Sequence, residues 1–475
     1  MKRSPDSLRV TKLSGVALVI ATLAGCASSN PDAAIADLSK RIAAQSGQQL
    51  QFVRSDEEQQ ARAESVRQVL SKPVDMAGAV KLAMLNNRSV QANLAELGVS
   101  QAELAQATRI ENPTFSFARV KSGDEIEYER AFKIDILGVL FIPWRQGIAS
   151  RQLERTKLQA ASSITRVALE TRSAWVNAVA AGQTARYLAD VNEAAEASAT
   201  LAKRMVEAGN FSKLAYAREQ AYYAEATAQL ARAQQAAVEA RERLIRLVGL
   251  SGQDAHALTL PARLPDLPAN PRDFEGSIQT AASKRHDLQM AKFELDGLAS
   301  SLGLTRSTRF INAMETSYLR NSSNEGHRAR GYELELQIPL FDWGGAKVAR
   351  AEAVYLSAVN RAAEVGIKAE SELRSSYHGY RTSYDLARHY RDQVVPLRKV
   401  ISEENLLRYN GMLIGVFELL ADAREQVGSM SAYLEALRAF WVADANLEMA
   451  VTAGSPPESG GVGVAVSSAP ASAGH

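Results

Sequence analysis

The residue types that most often carry chemistry are sparse in this chain and poorly placed for it. Six histidines stand at positions 256, 286, 327, 378, 389 and 475, and none belongs to an HExxH pair. The sequence also lacks a Gly-x-Ser-x-Gly elbow and a phosphate-cradling glycine loop. His378 and His389 fall about three turns apart along one face of a long helical pattern, too far to hold one metal ion together, and wall packing accounts for them. The 9 methionines form no cluster. Cys26 is the only cysteine, which removes internal disulfides and takes away the usual material for thiolate metal sites and cysteine nucleophiles. Carboxylates remain, with Glu418 and Asp422 following a break marked by Gly411 and Gly415. The chemistry open to them is attraction of cations, or else plain capping and solvation of a helix start. Neither an enzyme nor a cofactor or metal site is expected. With Lys+Arg 55 against Asp+Glu 53, no basic excess points to nucleic acid.

The N-terminus does carry a signal. Lys2, Arg3, Arg9 and Lys12 precede the apolar run from Leu13 to Gly25, which is too short for a stable transmembrane helix and has the layout of an export signal. It ends in Leu23-Ala24-Gly25-Cys26, which resembles the bacterial lipobox. That resemblance implies cleavage before Cys26 and lipidation of its thiol; the alternative is a chance cysteine at a signal's end. Ala27 and Ser28 follow, and the lack of an aspartate at the second position implies transfer to the outer membrane. No later segment has 18 consecutive apolar residues, so a bilayer crossing by the rest of the chain requires strands closed into a barrel.

The elements around these residues come in two sets. Asp75, Ala83, Val90 and Gln91 are matched about 198 residues later by Asp273, Ala281, Leu288 and Gln289. Lys133-Ile134 is matched by Gln337-Ile338, and Ala217-Arg218-Glu219-Gln220 recurs as Ala423-Arg424-Glu425-Gln426. Two tandem units with one plan follow: a helix (76–109, 273–305), two strands, a helix of about 60 residues (147–207, 345–407) and a returning helix (213–248, 416–452). No proline interrupts 144–260, and that stretch is rich in alanine, the best helix former. Sixty residues span about 90 Å and the two shorter helices end to end about 105 Å, so a tube wall of continuous and split helices is expected. A simple rod-like coiled coil fits the same periodicity. The boundaries read as a signal peptide at 1–25, a lipid-anchored tether of broken helices or extended chain at 26–72, a first repeat at 73–259, a Pro-rich linker at 260–272, a second repeat at 273–452 and a disordered tail at 453–475.

The strands distinguish a rod from a pore. In "YELELQIPL" (332–340), Tyr332, Leu334, Leu336, Ile338 and Leu340 share a face opposite Glu333, Glu335 and Gln337. "RAFKIDI" (130–136) sets Phe132, Ile134 and Ile136 against Lys133 and Asp135, while "TFSFARV" (114–120) and 309–320 alternate more weakly. The segments 121–127 and 321–329 read as polar loops. One apolar and one charged face is the pattern of a membrane barrel, but four strands cannot close one, for which about eight is the minimum. Three chains would give about twelve strands and an open lumen. A soluble four-stranded sheet with one wet face is the alternative.

The stretch "PLFDWGGAKVARAEA" (339–353) resembles the strand-to-helix junction of the TolC-like outer-membrane efflux proteins. So do "KRHDL" (284–288), "AVKLAMLNN" (79–87) and "RLVGL" (246–250), and the resemblance covers about 73–452. It implies a mainly α fold with a small β part: a homotrimer with a twelve-stranded β-barrel in outer-membrane lipid, continuous with a periplasmic α-barrel. The implied function is a passive exit duct of a tripartite efflux or type I secretion system, with a periplasmic adaptor and an inner-membrane transporter as partners. A lipid-anchored structural coiled coil or adhesin without a pore is the competing reading. At the junction, Pro339 falls where a missing N–H does least harm, Phe341 completes the motif, Asp342 can cap, and Gly344 and Gly345 let the chain swing. The first unit departs from this with "GVLFIPWRQG" (138–147). The breaks between long and returning helices are the implied adaptor-docking tips: Gly209, Ser212 and Leu214 in one, Arg408, Gly411, Gly415, Glu418 and Asp422 in the other. Relative to the family pattern the glycine falls at Gly411, leaving Met412 in its usual place. A threefold ring of Glu418, with Asp422, would gate the mouth with Arg204 or Arg408 as partner; ordinary capping charges are the alternative.

Overall fold

The computed structural model describes residues 31–46, 50–308, 314–336 and 341–456. The export signal with Cys26, Pro339 and the tail from 457 onward therefore lie outside the described residues. The chain is mostly helical with one small sheet, and it divides into two compact units. The first comprises residues 1–41, 92–160 and 290–361; the second comprises 42–91, 161–289 and 362–475.

The first unit holds the sheet. Strands β1 (Thr114–Ser122), β2 (Glu125–Asp135), β3 (Met314–Ser323) and β4 (Arg328–Leu336) pair antiparallel in chain order. Phe115, Phe132, Tyr318 and Tyr332 stand directly opposite one another in one row, and Ile134, Thr316 and Leu334 in the next. The strands run further than the alternation suggested. The expected loop 121–127 shrinks to a tight turn with Gly123 at φ 62°, and the expected loop 321–329 to a turn with Gly326 at φ 90°. Polar composition looked like turn chemistry, but a sheet with both faces unburied within the chain carries polar residues to its tips. Asn324 ties the hairpin ends together: its Oδ1 accepts from Ile126 N–H at 2.9 Å and its Nδ2 donates to Asp124 O at 2.9 Å. Helical segments of the same unit are joined by ion pairs, Lys157 Nζ to Asp37 Oδ2 at 3.2 Å and Arg155 to Glu294 at 3.2 Å.

The second unit buries Trp175, Tyr380, Tyr384 and Phe440 almost completely. Phe440 lies 5.6 Å from Tyr380 and 5.7 Å from Tyr384, ring centre to ring centre. Aromatic side chains also hold the neighbouring loops, the Pro-rich stretch at Pro265 and Ala269, whose prolines lack N–H groups, and the chain at Val74. Tyr384 Oη donates to Ala269 O at 2.8 Å, Trp441 Nε1 to Pro265 O at 3.1 Å, and Trp175 Nε1 to Val74 O at 2.8 Å. Asp444 pairs with Arg172 at 3.2 Å and Arg272 at 3.0 Å. Burial pushes its carboxyl above the usual carboxylate range, with Arg272 and Arg172 pulling the other way.

The helices 76–109 and 273–305 are each divided, into Met76–Asn86 with Arg88–Ala107, and Phe274–Lys284 with His286–Thr308. At each break one residue turns extended, Asn87 with ψ 125° and Arg285 with ψ 118°. Asn87 Oδ1 then accepts from Ser89 N–H at 2.8 Å, starting the next helix, while its Nδ2 donates to Leu247 O at 2.7 Å. Asp75 and Asp273 begin the two first helices by accepting from the N–H groups of Gly78 at 2.7 Å and Gly276 at 3.0 Å. The helix 345–407 is also interrupted: Gly345–His389 passes into a π-turn, Tyr390–Val394, before Val395–Asn410. Pro396 is the cause, because it supplies no N–H and its ring displaces the carbonyl four residues back. Without an equivalent proline, the other long helix runs unbroken from Ile142 to Glu207. The tether contains helices Pro31–Ser46 and Asp56–Leu70, the latter opened by a Ser55–Glu58 capping box.

Candidate functional site

Three places hold the residues singled out above: the sheet faces, the strand-to-helix junctions and the helical tips.

On the sheet, register assigns every side chain to a face. One face carries Glu125, Glu127, Glu129, Asp135, Glu315, Glu333 and Glu335 against a single cation, Lys133, which lies 3.7 Å from Glu315 and 3.9 Å from Glu335. The other carries the exposed apolar rows of Phe115, Phe117, Phe132, Ile134, Tyr332 and Leu334. Arg119, Lys121, Arg130, Arg320, Arg328 and Arg330 share that apolar face, in the rows nearest the hairpin turns. Lys121 and Arg328 fall in the segments 121–127 and 321–329 that read as loops, while Arg119, Arg130 and Arg320 fall in expected strands, and the face they share emerges only with the register. The signal was present, since Arg328 and Arg330 continue the same alternation as Tyr332 and Leu334.

The two junctions differ in construction. The first strand pair ends at Asp135 and passes directly into a short helix, Ile136–Leu140. Asp135 Oδ1 accepts from Gly138 N–H at 2.9 Å, and a Cβ at Gly138 would collide with Asp135 Oδ2 at 2.2 Å. Ile136, expected to end the strand, is thus the first helical residue. At the second junction Asp342 Oδ1 accepts from Gly344 N–H at 2.8 Å. Gly344 takes φ 72°, which favours glycine, and Gly345 opens the following helix. Phe341 projects almost entirely into solvent, and Trp144 and Trp343 are also exposed.

At the tips the helix ends are closed by the same hydrogen bonds. After Glu207, Gly209 N–H donates to Val206 O at 3.0 Å and Asn210 N–H to Met205 O at 2.9 Å, with Gly209 at φ 74°. After Asn410, Met412 N–H donates to Tyr409 O at 2.9 Å and Leu413 N–H to Arg408 O at 2.8 Å. The left-handed residue here is Met412 at φ 59°, while Gly411 (φ −80°) and Gly415 (φ −81°) are ordinary. The glycines that mark the break are therefore not the residues that turn left-handed: a methionine takes the strained position, because the hydrogen-bond pattern fixes which residue must turn. Ser212 Oγ caps the returning helix from Ala215 N–H at 3.1 Å, and Leu214 is exposed.

Glu418 is exposed in the first turn of helix Val416–Thr452, whereas Asp422 is buried with Oδ2 unpartnered. Neither Arg204 nor Arg408 forms an ion pair with them among the described residues. The paired charges nearby are others. Buried Glu219 meets Arg424 at 2.6 Å and accepts from Ser198 Oγ at 2.8 Å, and Arg424 lies 4.2 Å over the Tyr222 ring. Burial raises the Tyr222 phenol above its usual range, Arg424 opposing and Glu219 adding to the shift. Glu219 and Arg424 come from the two copies of the recurring Ala-Arg-Glu-Gln tetrapeptide.

Among the described residues no group of three His, Cys, Asp or Glu is placed to hold a metal ion, and no helix is long and apolar enough to cross a membrane. No protein-family profile matches the sequence, and no curated protein matches it. Solved structures do. A membrane protein from Pseudomonas aeruginosa superposes with TM-score 0.68 at 18% identity, covering 79% of this chain and 93% of that one. The outer membrane protein VceC of Vibrio cholerae gives 0.66 at 15%, covering 80% and 96%. The Campylobacter jejuni CmeC outer membrane channel gives 0.63 at 14%, covering 86% and 90%.

Proposed function

We propose that this chain, whose fold is that of TolC-like outer-membrane efflux channels, is the exit duct of an efflux or secretion assembly. The observation that carries the reading is the sheet: four strands with one exposed apolar face, one acidic face and long helices leading from the same unit. A four-stranded sheet with these faces buries neither alone. Three copies supply about twelve strands, enough to close a barrel with the apolar face in lipid and the acidic face around water. Aromatic residues at both ends of the apolar band, Phe132, Tyr318 and Tyr332 at one and Trp144, Phe341 and Trp343 at the other, suit two membrane interfaces.

In this reading the chain is anchored through Cys26 in the outer membrane and its helices extend into the periplasm. The tips around Gly209, Ser212, Leu214, Arg408, Gly411 and Gly415 dock a periplasmic adaptor, which joins the duct to an inner-membrane transporter. The sequence carries no phosphate-cradling glycine loop, and in this reading the transporter supplies the energy. Glu418, exposed at the tip, would meet cations in a threefold ring; Asp422 is buried, with Oδ2 unpartnered.

Purified full-length protein in planar bilayers tests the proposal. A heat-modifiable, SDS-resistant trimer that conducts supports the duct; a non-conducting monomer or dimer overturns it in favour of a lipid-anchored coiled coil. Glu418→Ala is expected to raise single-channel conductance and lower cation preference. Unchanged conductance and selectivity would remove Glu418 from the gate.

A further inference from the structure

The apolar sheet face has a second zone whose chemistry the duct does not require. Moving from the helices toward the hairpin turns, the rows pass from Ile134, Thr316 and Leu334 to Phe115, Phe132, Tyr318 and Tyr332. Then the character changes. Phe117 is followed across the sheet by Arg130, Arg320 and Arg330; the next row holds Arg119, Tyr128, Ser322 and Arg328, and Lys121 lies beyond. No acidic residue of the four strands points to this face, because all seven carboxylates named above have the opposite parity.

Arg119, Lys121, Arg320, Arg328 and Arg330 are exposed, and no ion pair engages any of the six cations among the described residues. Arg130 is held over Phe117 at 5.8 Å and Tyr128 at 5.9 Å, and its Nη1 donates to Ser322 Oγ at 3.2 Å. A group of unpaired guanidinium ions bordering an aromatic row is costly within hydrocarbon and favourable where anionic headgroups begin.

We infer that this cationic belt binds the phosphate groups of lipid headgroups in the membrane leaflet at the hairpin end of the barrel. The inference rests on the exit-duct reading for one point, that the apolar face meets lipid. Four features favour lipid phosphate as the occupant. The charge is of one sign, and it adjoins an apolar surface that acyl chains would cover. It consists mainly of arginine, whose planar fork pairs with phosphate through two hydrogen bonds. It also lies at the level where the aromatic row ends, the depth at which barrel aromatics sit in the interface. Cations spread over neighbouring strands suit a headgroup bearing more than one phosphate.

The test uses the full-length protein in phosphatidylcholine vesicles containing a small fraction of diphosphorylated lipid A, or the same lipid with its phosphates removed. The protein is then recaptured and its bound lipid measured by mass spectrometry. The wild type is expected to enrich the phosphorylated lipid over the dephosphorylated one. R119Q/R320Q/R328Q/R330Q should lower that enrichment at least ~10-fold, a small part of the roughly thousandfold that four charges attracted to lipid phosphate could supply. The corresponding arginine-to-lysine variant should retain most of it, which separates charge from folding. Equal retention by the glutamine variant, or no preference for the phosphorylated lipid, overturns the inference. Displacement by inorganic phosphate at matched phosphate concentration overturns the lipid as its source. Conductance of the same vesicles reads the duct separately. Conduction without phosphate-dependent retention sinks the belt alone, and retention without conduction sinks the duct while leaving the belt in place.

Discussion

Arg285 is a fully buried cation whose every neighbour compensates it. Its guanidinium meets Asp287 at 2.8 Å and Glu372 at 2.5 Å, and donates to Ala450 O at 3.0 Å and Ala369 O at 3.2 Å. Burial works against its charge, yet the two carboxylates outweigh burial and raise its pKa. Arg285→Ala should therefore cost about 3–5 kcal/mol, read by denaturant unfolding, because it leaves two carboxylates and two carbonyls facing a void. Met412 presents the opposite case, a residue working against its own backbone at φ 59° with its side chain free in solvent. Met412→Gly should stabilise the tip by roughly 0.5–1 kcal/mol, seen as slower local amide exchange around 408–415. A slowing absent there, or a loss of overall stability, would show that the methionine has a contact worth more than its strain.

At the scale of elements, the face of each strand was legible and its length was not. Glu333 and Glu335 alternating with Tyr332, Leu334 and Leu336 announce two faces without any knowledge of the partner strand. Where pairing stops depends on the register with the partner strand, so Arg328 reads as loop. The same limit hid the helix breaks. Apolar periodicity runs through Asn87 and Arg285 undisturbed, and only side-chain bonds to Leu247 O, Ala369 O and Ala450 O show why the backbone turns there. Pro396 could have been read from sequence alone, since an interior proline forces the ladder to yield. The tip was misjudged for a related reason: glycine is permitted a positive φ but does not create the need for one. The two-faced strand also makes a quantitative prediction. Leu334→Arg places a charge in the middle of the apolar band and should cost about 2–4 kcal/mol of stability in vesicles, while Ser116→Arg, at an exposed position on the acidic side, should cost far less. Equal penalties, measured by reversible unfolding into urea, would contradict the assignment of the faces.

For the whole molecule, the proposed exit duct gives the acidic face a meaning that a single copy lacks. Seven carboxylates and one lysine per chain leave an excess of six negative charges, all directed to one side of a sheet. Closed into a barrel, that side becomes a narrow aqueous compartment with immobile charge on its wall, and such a compartment obeys Donnan partitioning. Mobile cations enrich within it, anions are depleted, and the proton concentration rises with the other cations. The difference fades once the screening length, about 10 Å at 0.1 M salt, falls well below the lumen radius. Reversal potentials across a salt gradient should thus show strong cation preference in dilute electrolyte and little at about 1 M, where the screening length is about 3 Å. In the proposed duct, anionic cargo would meet its highest barrier in dilute surroundings and its lowest in brine, so the ionic strength outside the cell would become a control on what leaves it.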